Sequence, residues 1–359
     1  MTTRSLNAGT PSRRNADTSR TRLTVPATFN FDWIRSFLML RRVPSLERWT
    51  DDNVYVRSVS IDGTSALLTI RYVSPDSPRP GAGADDGRGR SRQDARLEVS
   101  FPSVPTPMAM PPARPAPPLT REAVRAAVGR MFDLDGDLEA FIGHVRRDKL
   151  LGPLVKRRPH VRLPRLIDPF EGLVRAMLGQ QVTVRAASTM THRFTRQFGT
   201  PLADGKVAGN ATGNAARDAG HGDNGDADAL YAFPRPEVIA AAGADALRVI
   251  GLTRAKATAI ARLAETLASG RLDTAQLAGL PSDDVQAALV ALPGIGPWTA
   301  SYVRMRVLGD RDAFPAADLG VIKALEALGI ARADHVATAE RWRPWRAYAV
   351  LHLWESLAD

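Results

Sequence analysis

The segment LPGIGPWTA, at 292–300, constrains the fold of this chain more than any other feature, because it places a proline and two glycines between two stretches with helical periodicity. Apolar residues before it recur at helical spacing, and Pro297 suits the first turn of a second helix. The sequence therefore predicts helices at 282–292 and 297–308, joined by a sharp turn.

The two glycines of this turn, Gly294 and Gly296, indicate what it can contact. Glycine permits backbone conformations that other residues avoid, and it lets a second chain approach closely. The free N–H groups at the start of the second helix point outward, so the turn is suited to holding phosphate without reading bases. The alternative is a tight helix–helix connection that binds no ligand.

Two aromatic residues, Trp298 and Tyr302, follow the turn at a spacing that puts them on the same helix face. They can form a wall against a flat ring, or they can pack in the core as such pairs commonly do. Their spacing alone leaves both interpretations open.

Asp318 stands directly before an apolar helical pattern that begins at Leu319. Aspartate is a favoured N-cap, and capping alone would explain its presence. Backbone N–H donors and the helix dipole also favour the ionised carboxylate. Such a group beside an aromatic pocket suits cleavage of a bond between a sugar and a base, whose transition state resembles an oxocarbenium ion. An alkylated base carries positive charge and leaves readily, and a damaged base costs less to evert.

Composition limits the partners and the chemistry. The formal charge is +10 and the pI is near 10.5, so we expect a polyanionic partner, with nucleic acid the first choice. The chain has no cysteine, which excludes disulfides, thiolate zinc sites and cysteine-ligated iron–sulfur clusters. Its six histidines lack metal-ligand spacing, so we expect no metal bound by side chains.

The predicted fold class is α+β, in three parts. Residues 1–27 are rich in Arg, Ser and Thr and predict a disordered basic tail. Residues 28–118 predict a small domain with an antiparallel sheet and helices, which ends in a proline-rich linker. Residues 119–359 predict a mostly helical region with a disordered insertion near 205–229.

The strands of the small domain are predicted from alternating apolar residues at 54–61 and from β-favouring residues at 67–73. Asp62-Gly63 supplies the turn of a hairpin between them. A third strand is expected at 96–101.

The helical region has a capped helix start at Asp168, with Pro169 at the first helical position and Glu171 closing a capping box. A basic run precedes this helix, and it either follows the DNA backbone or forms a solvated surface. The run consists of Lys156, Arg157, Arg158, Arg162 and Arg165.

The turn at 292–300 followed by FPAADLG, at 314–320, resembles the helix-hairpin-helix, Gly/Pro-Asp (HhH-GPD) motif of base-excision DNA glycosylases. Three further segments resemble the 3-methyladenine DNA glycosylase II (AlkA-like) branch. They are FDWIRSFLMLRRV at 31–43, DPFEGLVRAMLGQQV at 168–182 and WRPWRAYAVLHLW at 342–354. The resemblance covers most of the chain from residue 29 onward. It implies that the small sheet domain is followed by a two-part helical glycosylase fold with an active-site cleft.

The resemblance assigns Asp318 as the catalytic carboxylate. It implies that aromatic residues form the base pocket, with one contributed by the N-terminal domain. These residues are Trp298, Tyr302, Trp354 and, from the N-terminal domain, Phe37.

The resemblance also implies contacts with DNA. The hairpin turn would bind phosphate through Gly294, Ile295, Gly296 and Thr299, and Gln181 stands where a relative inserts a leucine wedge. A structural Na⁺ or K⁺ held by the backbone carbonyls of 292–296 is implied as well, and no other cofactor. We expect double-stranded DNA with damaged bases as the partner, no membrane contact, a monomer, and a cytoplasmic location with the bacterial nucleoid.

The function implied by the resemblance is that of a hydrolase in base excision repair. It would evert alkylated purines of the 3-methyladenine type from duplex DNA, hydrolyse the N-glycosidic bond and leave an abasic site. Relatives that also cut the strand have a lysine where this chain has Trp298, and tryptophan cannot form a Schiff base, so a monofunctional enzyme is expected. Leu319 stands where a relative has tyrosine, which is expected to alter the set of bases accepted.

Two alternatives remain open. One is a non-catalytic DNA-binding protein that uses the hairpin as a phosphate clamp, which would need neither Asp318 nor its aromatic neighbours. The other is a glycosylase for deaminated or mismatched bases.

Overall fold

The computed structural model describes residues 18–51, 54–75, 94–102, 117–202, 229–277 and 279–358. An antiparallel five-stranded sheet lies at the N-terminal end, with spatial order β1-β5-β4-β3-β2. Its strands are β1 Thr18–Thr24, β2 Glu47–Asp51, β3 Val54–Ile61, β4 Thr64–Val73 and β5 Arg96–Pro102. A two-stranded ribbon, β6 Thr200–Pro201 with β7 Tyr231–Ala232, lies farther along.

The hairpin between β3 and β4 is confirmed. Asp62 and Gly63 both have positive φ, at 51° and 78°, which suits a two-residue turn between twisted strands. The register pairs Ile61 with Thr64 and Val54 with Arg71. Strand β5, at the predicted position, pairs with β4.

The predicted boundary of the basic tail is wrong. Residues 18–24 form β1, which pairs with β5 from Thr18–Pro102 to Thr24–Arg96. Only Leu23 of this strand is buried, and its other residues are polar and exposed or partly exposed. This is the composition of an edge strand on a half-buried sheet. Residues 1–17 of the expected tail lie outside the described residues, as do 103–116 of the linker and 203–228 around the insertion.

Helices make up most of the rest of the described chain. One, α1 Phe31–Leu40, belongs to the N-terminal domain, and the others follow the linker. They are α2 Arg121–Met131, α3 Leu138–Val145, α4 Leu151–Arg157, α5 Pro169–Leu178, α6 Val184–Phe198, α7 Pro236–Arg248, α8 Arg254–Ala268, α9 Thr274–Leu277, α10 Ser282–Val290, α11 Pro297–Val303, α12 Leu319–Ala327, α13 His335–Glu340 and α14 Arg346–Ser356.

The predicted pair of helices around the turn is confirmed as α10 and α11. The second extends beyond α11 through a π-helical turn, Arg304–Leu308. No helix in the described ranges is long and apolar enough to cross a bilayer.

The start of α5 is confirmed in one respect and corrected in another. Asp168 Oδ1 accepts a hydrogen bond from Phe170 N at 2.8 Å, and Pro169 occupies the first helical turn. Glu171 does not reach back to close a capping box. Its buried carboxylate instead pairs with Arg57 of β3 and, at 2.9 Å, with Arg175, because a buried carboxylate gains more from two cations than from one amide.

Two large apolar clusters and one small one form the core of the described residues. The small one consists of Val54, Val56 and Leu230. Of the two large clusters, one joins the inner face of the sheet and α1 to α2, α3, α4, α12 and α14. The other surrounds α5 and includes residues of α8, α10 and α11, together with Val43 and Leu46 from the N-terminal domain. Tyr302 packs against both large clusters. The face of α11 that carries it therefore lies where the two halves of the molecule meet.

Candidate active site

A cleft with a volume of about 1400 Å³ opens between the two halves. Its walls come from the end of α1, strand β3, helix α5 with the loop after it, helix α11, the start of α12, and α14. The lining residues that matter most below are Arg41, Gln181, Trp298, Tyr302, Asp318 and Trp354. The N-terminal domain and the helical region thus build one site together.

Asp318 caps the helix that the sequence predicts after it. Its Oδ1 accepts hydrogen bonds from Gly320 N at 2.9 Å and Val321 N at 3.1 Å, at the N-terminus of α12. Capping fixes the carboxylate at the cleft wall, and the helix N-terminus favours its negative charge.

Two indole rings also donate to Asp318. Trp298 Nε1 donates to Oδ2 at 3.0 Å, and Trp354 Nε1 donates to Oδ1 at 2.8 Å. The carboxylate therefore accepts four N–H bonds while it stays partly open to the cleft. Donors of this kind hold both oxygens in fixed directions.

Gly320 makes the approach of Trp354 possible. A Cβ placed at this glycine would lie 2.8 Å from Trp354 Cδ1 and 3.0 Å from its Nε1. Any side chain at this position would therefore displace the indole from Asp318. This role was missed in the sequence, where the glycine appears only as the second residue of an ordinary helix.

Three of the four predicted pocket aromatics line the cleft with Asp318. Trp298 and Tyr302 stack at a centroid distance of 5.6 Å with an interplanar angle of 27°, and Trp354 lies against the other side of the carboxylate. The alternative of plain core packing does not describe them, since all three stay partly exposed and face the cavity.

Phe37, the fourth, does not line the cleft. It is 3% exposed, and the guanidinium carbon of Arg41 lies 3.8 Å from its ring centroid. A cation over the face of an aromatic ring is a favourable arrangement, so Arg41 covers the ring and takes its place at the wall. The N-terminal domain thus contributes an arginine here, where the sequence indicated a phenylalanine.

A second arginine, Arg306, lies near the rings of Phe37 and Tyr302. Its guanidinium carbon is 4.9 Å from the Phe37 centroid and 6.0 Å from that of Tyr302, and the residue lines the cleft although it is 4% exposed. Arg41 and Arg306 were both missed in the sequence. The i, i+4 spacing of Phe37 and Arg41 was the available signal for one of them.

The hairpin turn contains two glycines with different roles. Gly294 has φ +80°, and a Cβ there would lie 2.5 Å from that of Ala259 in α8. Gly296 has open space around it and precedes α11. Among the described residues, neither amide has a hydrogen-bond partner, so both N–H groups remain free for an incoming acceptor.

The other two predicted phosphate contacts are engaged within the fold. Ile295 is 3% exposed and its N–H already donates to Leu292 O at 3.1 Å. Thr299 is 2% exposed, and its hydroxyl accepts from Gln180 Nε2 at 2.9 Å. We therefore correct Ile295, whose N–H serves the turn itself. The phosphate contact of Thr299 stays a prediction, which its buried hydroxyl does not support.

Gln180, which the sequence did not single out, ties the end of α5 to the turn. Its side-chain amide also donates to Gly294 O at 2.8 Å. Lys256 of α8 donates to Leu178 O and Gln180 O at 3.4 and 3.3 Å, which holds the same loop from the other side.

Gln181, the predicted wedge, is exposed at the rim of the cleft and has φ 60°. Val182 and Val184 follow it and are 41% and 46% exposed. Leu319, beside the catalytic candidate, is 70% exposed. Large apolar side chains therefore surround the entrance.

The basic run before α5 does not form one surface. Arg162 is buried and donates to Asp133 O at 2.7 Å and Thr28 Oγ1 at 2.8 Å. Arg165 pairs with Asp135 at 2.7 Å. Both support local structure, and only Lys156 and Arg157 at the end of α4 are exposed. Within the described residues, no group of His, Cys, Asp and Glu is arranged to hold a metal ion.

The chain is similar to known DNA repair proteins. The family model of the HhH-GPD superfamily of base excision DNA repair proteins matches residues 174–347. The chain is 32% identical over 345 residues to a probable bifunctional transcriptional activator/DNA repair enzyme AlkA of Mycobacterium tuberculosis, which covers 96% of this chain and 58% of that protein. It is 30% identical over 328 residues to DNA-3-methyladenine glycosylase 2 of Escherichia coli, and the alignment covers 91% of this chain and 93% of that protein.

The fold agrees as well. The structure of a 3-methyladenine DNA-glycosylase from Archaeoglobus fulgidus superposes with a TM-score of 0.68 at 21% identity, covering 93% of this chain and 97% of that one. The chain thus spans 58% of the length of the mycobacterial relative and nearly all of the Escherichia coli protein. It therefore belongs to the HhH-GPD superfamily of base excision DNA repair proteins and, within it, to the family of DNA-3-methyladenine glycosylase 2.

Proposed function

We propose that this chain is a DNA glycosylase that releases alkylated purines of the 3-methyladenine type from duplex DNA. The observation that carries the proposal is the Asp318 carboxylate, held by four N–H donors at the wall of a cleft lined by Trp298, Tyr302 and Trp354. A non-catalytic phosphate clamp needs neither a fixed carboxylate nor a wall of rings. The names of the relatives support the same substrate class.

The chemistry follows from the charges in the cleft. An everted alkylated purine is flat and cationic, and the faces of aromatic rings attract such a base. As the N-glycosidic bond breaks, its electron pair goes to the base and positive charge develops on the sugar, which the Asp318 carboxylate stabilises. The oxygen of a water molecule then bonds to the sugar carbon and its proton passes to Asp318, leaving an abasic site.

Contacts with the DNA backbone would come from the hairpin turn. The free amides of Gly294 and Gly296 are suited to bind a phosphate without regard to sequence. The carbonyls of Leu292 and Gly294 each accept one internal hydrogen bond and keep a second lone pair, so a monovalent cation at 292–296 fits as part of this proposal. Gln181, with Val182 next to it, would fill the gap left by the everted base.

We also propose that the enzyme is monofunctional and acts as a monomer at the nucleoid. Trp298 occupies the place where strand-cutting relatives have a lysine, and none of the four lysines in the described ranges lines the cleft. A Schiff base with the sugar therefore has no amine to form it. One chain supplies every residue of the cleft described above, so a partner subunit is not needed to complete it.

The test is release of 3-methyladenine from methylated duplex DNA by the wild type and Asp318→Asn. Asparagine still caps a helix, so the fold should be kept while the negative charge is lost. We expect the single-turnover rate to fall by about a hundredfold or more. The wild-type product should be an intact abasic strand with no enzyme–DNA adduct after borohydride treatment. Full turnover by the variant would refute the assignment of Asp318.

A further inference from the structure

Two arginines at the inner wall of the cleft, Arg41 and Arg306, form no salt bridge among the described residues, although the charge of Glu355 acts on Arg41. Arg41 donates from Nη1 to Phe37 O at 3.2 Å, and within the described residues it forms no ion pair. Its guanidinium carbon also lies 5.6 Å from the Trp354 centroid, so the group extends toward the ring that holds Asp318. Burial and the charge of Arg306 lower the pKa of Arg41 to about 10, which leaves it a cation at neutral pH.

Arg306 adds a second positive charge to the same place. Its Nε donates to Pro164 O at 2.6 Å, and its buried Nη1 has no hydrogen-bond partner among the described residues. The two guanidinium carbons lie 3.8 and 4.9 Å from the Phe37 centroid. Two cations brought together with no carboxylate in direct contact destabilise the free protein.

Neighbouring arginines in the same cleft are neutralised. Arg57 pairs with Glu171, and Arg175 pairs with Glu171 at 2.9 Å. A carboxylate is thus present in the cleft wall, and it pairs with Arg57 and Arg175 and not with Arg41 or Arg306. N–H groups that face a binding cleft and form no ion pair within the protein indicate that a ligand supplies their acceptor.

The ligand in the proposed reaction is an everted base, and its acceptors are ring nitrogens and carbonyl oxygens. Arginine is a common partner of purine oxygen and nitrogen acceptors because its N–H groups form a planar fork. We propose that Arg41, supported by Arg306, donates hydrogen bonds to the everted base and favours release of neutral purines over cationic alkylated ones. This inference rests on the proposed function and extends its substrate range.

The preference follows from the charge on the departing base. A cationic base takes the electron pair of the N-glycosidic bond and leaves neutral, so a nearby cation disfavours its binding without helping its departure. A neutral purine takes the same pair and leaves as an anion, which Arg41 stabilises until solvent supplies a proton. Water adds to the sugar in both cases, as described above. Hypoxanthine is a neutral purine that carries both a carbonyl oxygen and ring nitrogens.

The experiment compares single-turnover release of hypoxanthine and of 3-methyladenine from duplex DNA by the wild type, Arg41→Met and Arg41→Lys. Methionine keeps much of the length of the side chain without the charge, and lysine keeps the charge without the fork. We expect Arg41→Met to lower the ratio of the hypoxanthine rate to the 3-methyladenine rate by about tenfold or more, equivalent to one hydrogen bond to a charged group. Arg41→Lys should recover part of the loss.

The matched control is Arg35→Met. Arg35 belongs to the same helix and also lies over an aromatic ring, 5.5 Å from the Trp49 centroid, but it does not line the cleft. Its substitution should leave the ratio of the two rates unchanged. Thermal unfolding and binding of undamaged duplex show whether each variant is folded.

The outcomes separate the two proposals. An equal loss on both bases in Arg41→Met, or a wild type that releases 3-methyladenine but not hypoxanthine, would overturn the role of Arg41 and leave the proposed function intact. A wild type that releases neither base would overturn the proposed function and this inference with it.

Discussion

At the scale of single residues, the main feature of the cleft is that four N–H donors fix Asp318 while it stays partly open to the cleft. Two backbone amides and two indole N–H groups reach its oxygens, and Gly320 leaves room for the second indole. A carboxylate fixed in this way needs no reorganisation when positive charge develops next to it. Trp298 and Trp354 therefore act in two ways, as ring walls and as hydrogen-bond donors.

Substituting these tryptophans by phenylalanine separates the two roles. Trp298→Phe and Trp354→Phe each keep an aromatic ring and remove one donor to Asp318, and a hydrogen bond to a charged group contributes about 1.5–3 kcal/mol. We expect each variant to release 3-methyladenine about tenfold more slowly in single turnover and to bind undamaged duplex as the wild type does. Trp345→Phe, in a ring cluster with Phe141 and Tyr348, serves as the control. Wild-type rates in both variants would show that ring contacts alone suffice.

At the scale of elements, the hairpin turn depends on its contact with α8. Gly294 has positive φ, and any Cβ added to it would lie only 2.5 Å from that of Ala259, so the position requires glycine, whereas Gly296 has ordinary φ and open space. We expect Gly294→Ala to lower the free energy of unfolding by about 1–3 kcal/mol and to weaken DNA binding. Gly296→Ala should change stability by less than about 1 kcal/mol. Thermal unfolding of the two variants checks this, and equal destabilisation would contradict it.

Elements with strong local signals were predicted from the sequence. The turn residues Asp62 and Gly63 and the cap Asp168 determine backbone geometry by themselves, so their elements are where we expected them. Strands β1 and β2 were missed. Their residues are largely polar, and β1 exists because it pairs with β5, a contact between positions far apart in the chain. Local periodicity carries no information about such a partner.

The same limit applies to the site. Asp318 and its aromatic neighbours belong to a motif with fixed spacing, and the structure brings them together. Arg306 and Gln180 contact residues of other elements, which cannot be read from the sequence around them, whereas the i, i+4 spacing of Phe37 and Arg41 was a local signal. Phe37 was assigned to the wall by the resemblance, which did not indicate that Arg41 and Arg306 cover its ring.

At the scale of the whole molecule, the sheet domain and the helical region are joined by buried charges behind the cleft. Arg57 of β3 contacts Glu171 of α5 and lies 3.6 Å from Glu47, while Arg175 donates to Arg41 O at 3.1 Å. Burial alone would lower the pKa of Arg57, but Glu171 and Glu47 outweigh it and raise the pKa above its usual value. The cluster therefore fixes the position of the N-terminal domain, and through Arg175 that of Arg41.

Replacing Arg57, the central cation, tests whether the buried charges stabilise the fold more than an ion pair at the surface does. Arg57→Met leaves Glu171 and Glu47 buried with less compensation, and breaking a buried pair costs about 3–5 kcal/mol. We expect a loss of this size in the free energy of unfolding measured with urea, together with slower release of hypoxanthine as Arg41 loses its support. Arg96→Met removes an arginine that pairs with Glu98 at 3.0 Å on the partly exposed sheet surface, and it should cost less than about 1 kcal/mol. If the two variants unfold at the same urea concentration, the buried charges do not hold the two halves together, and the cleft between them must depend on the shared apolar core alone.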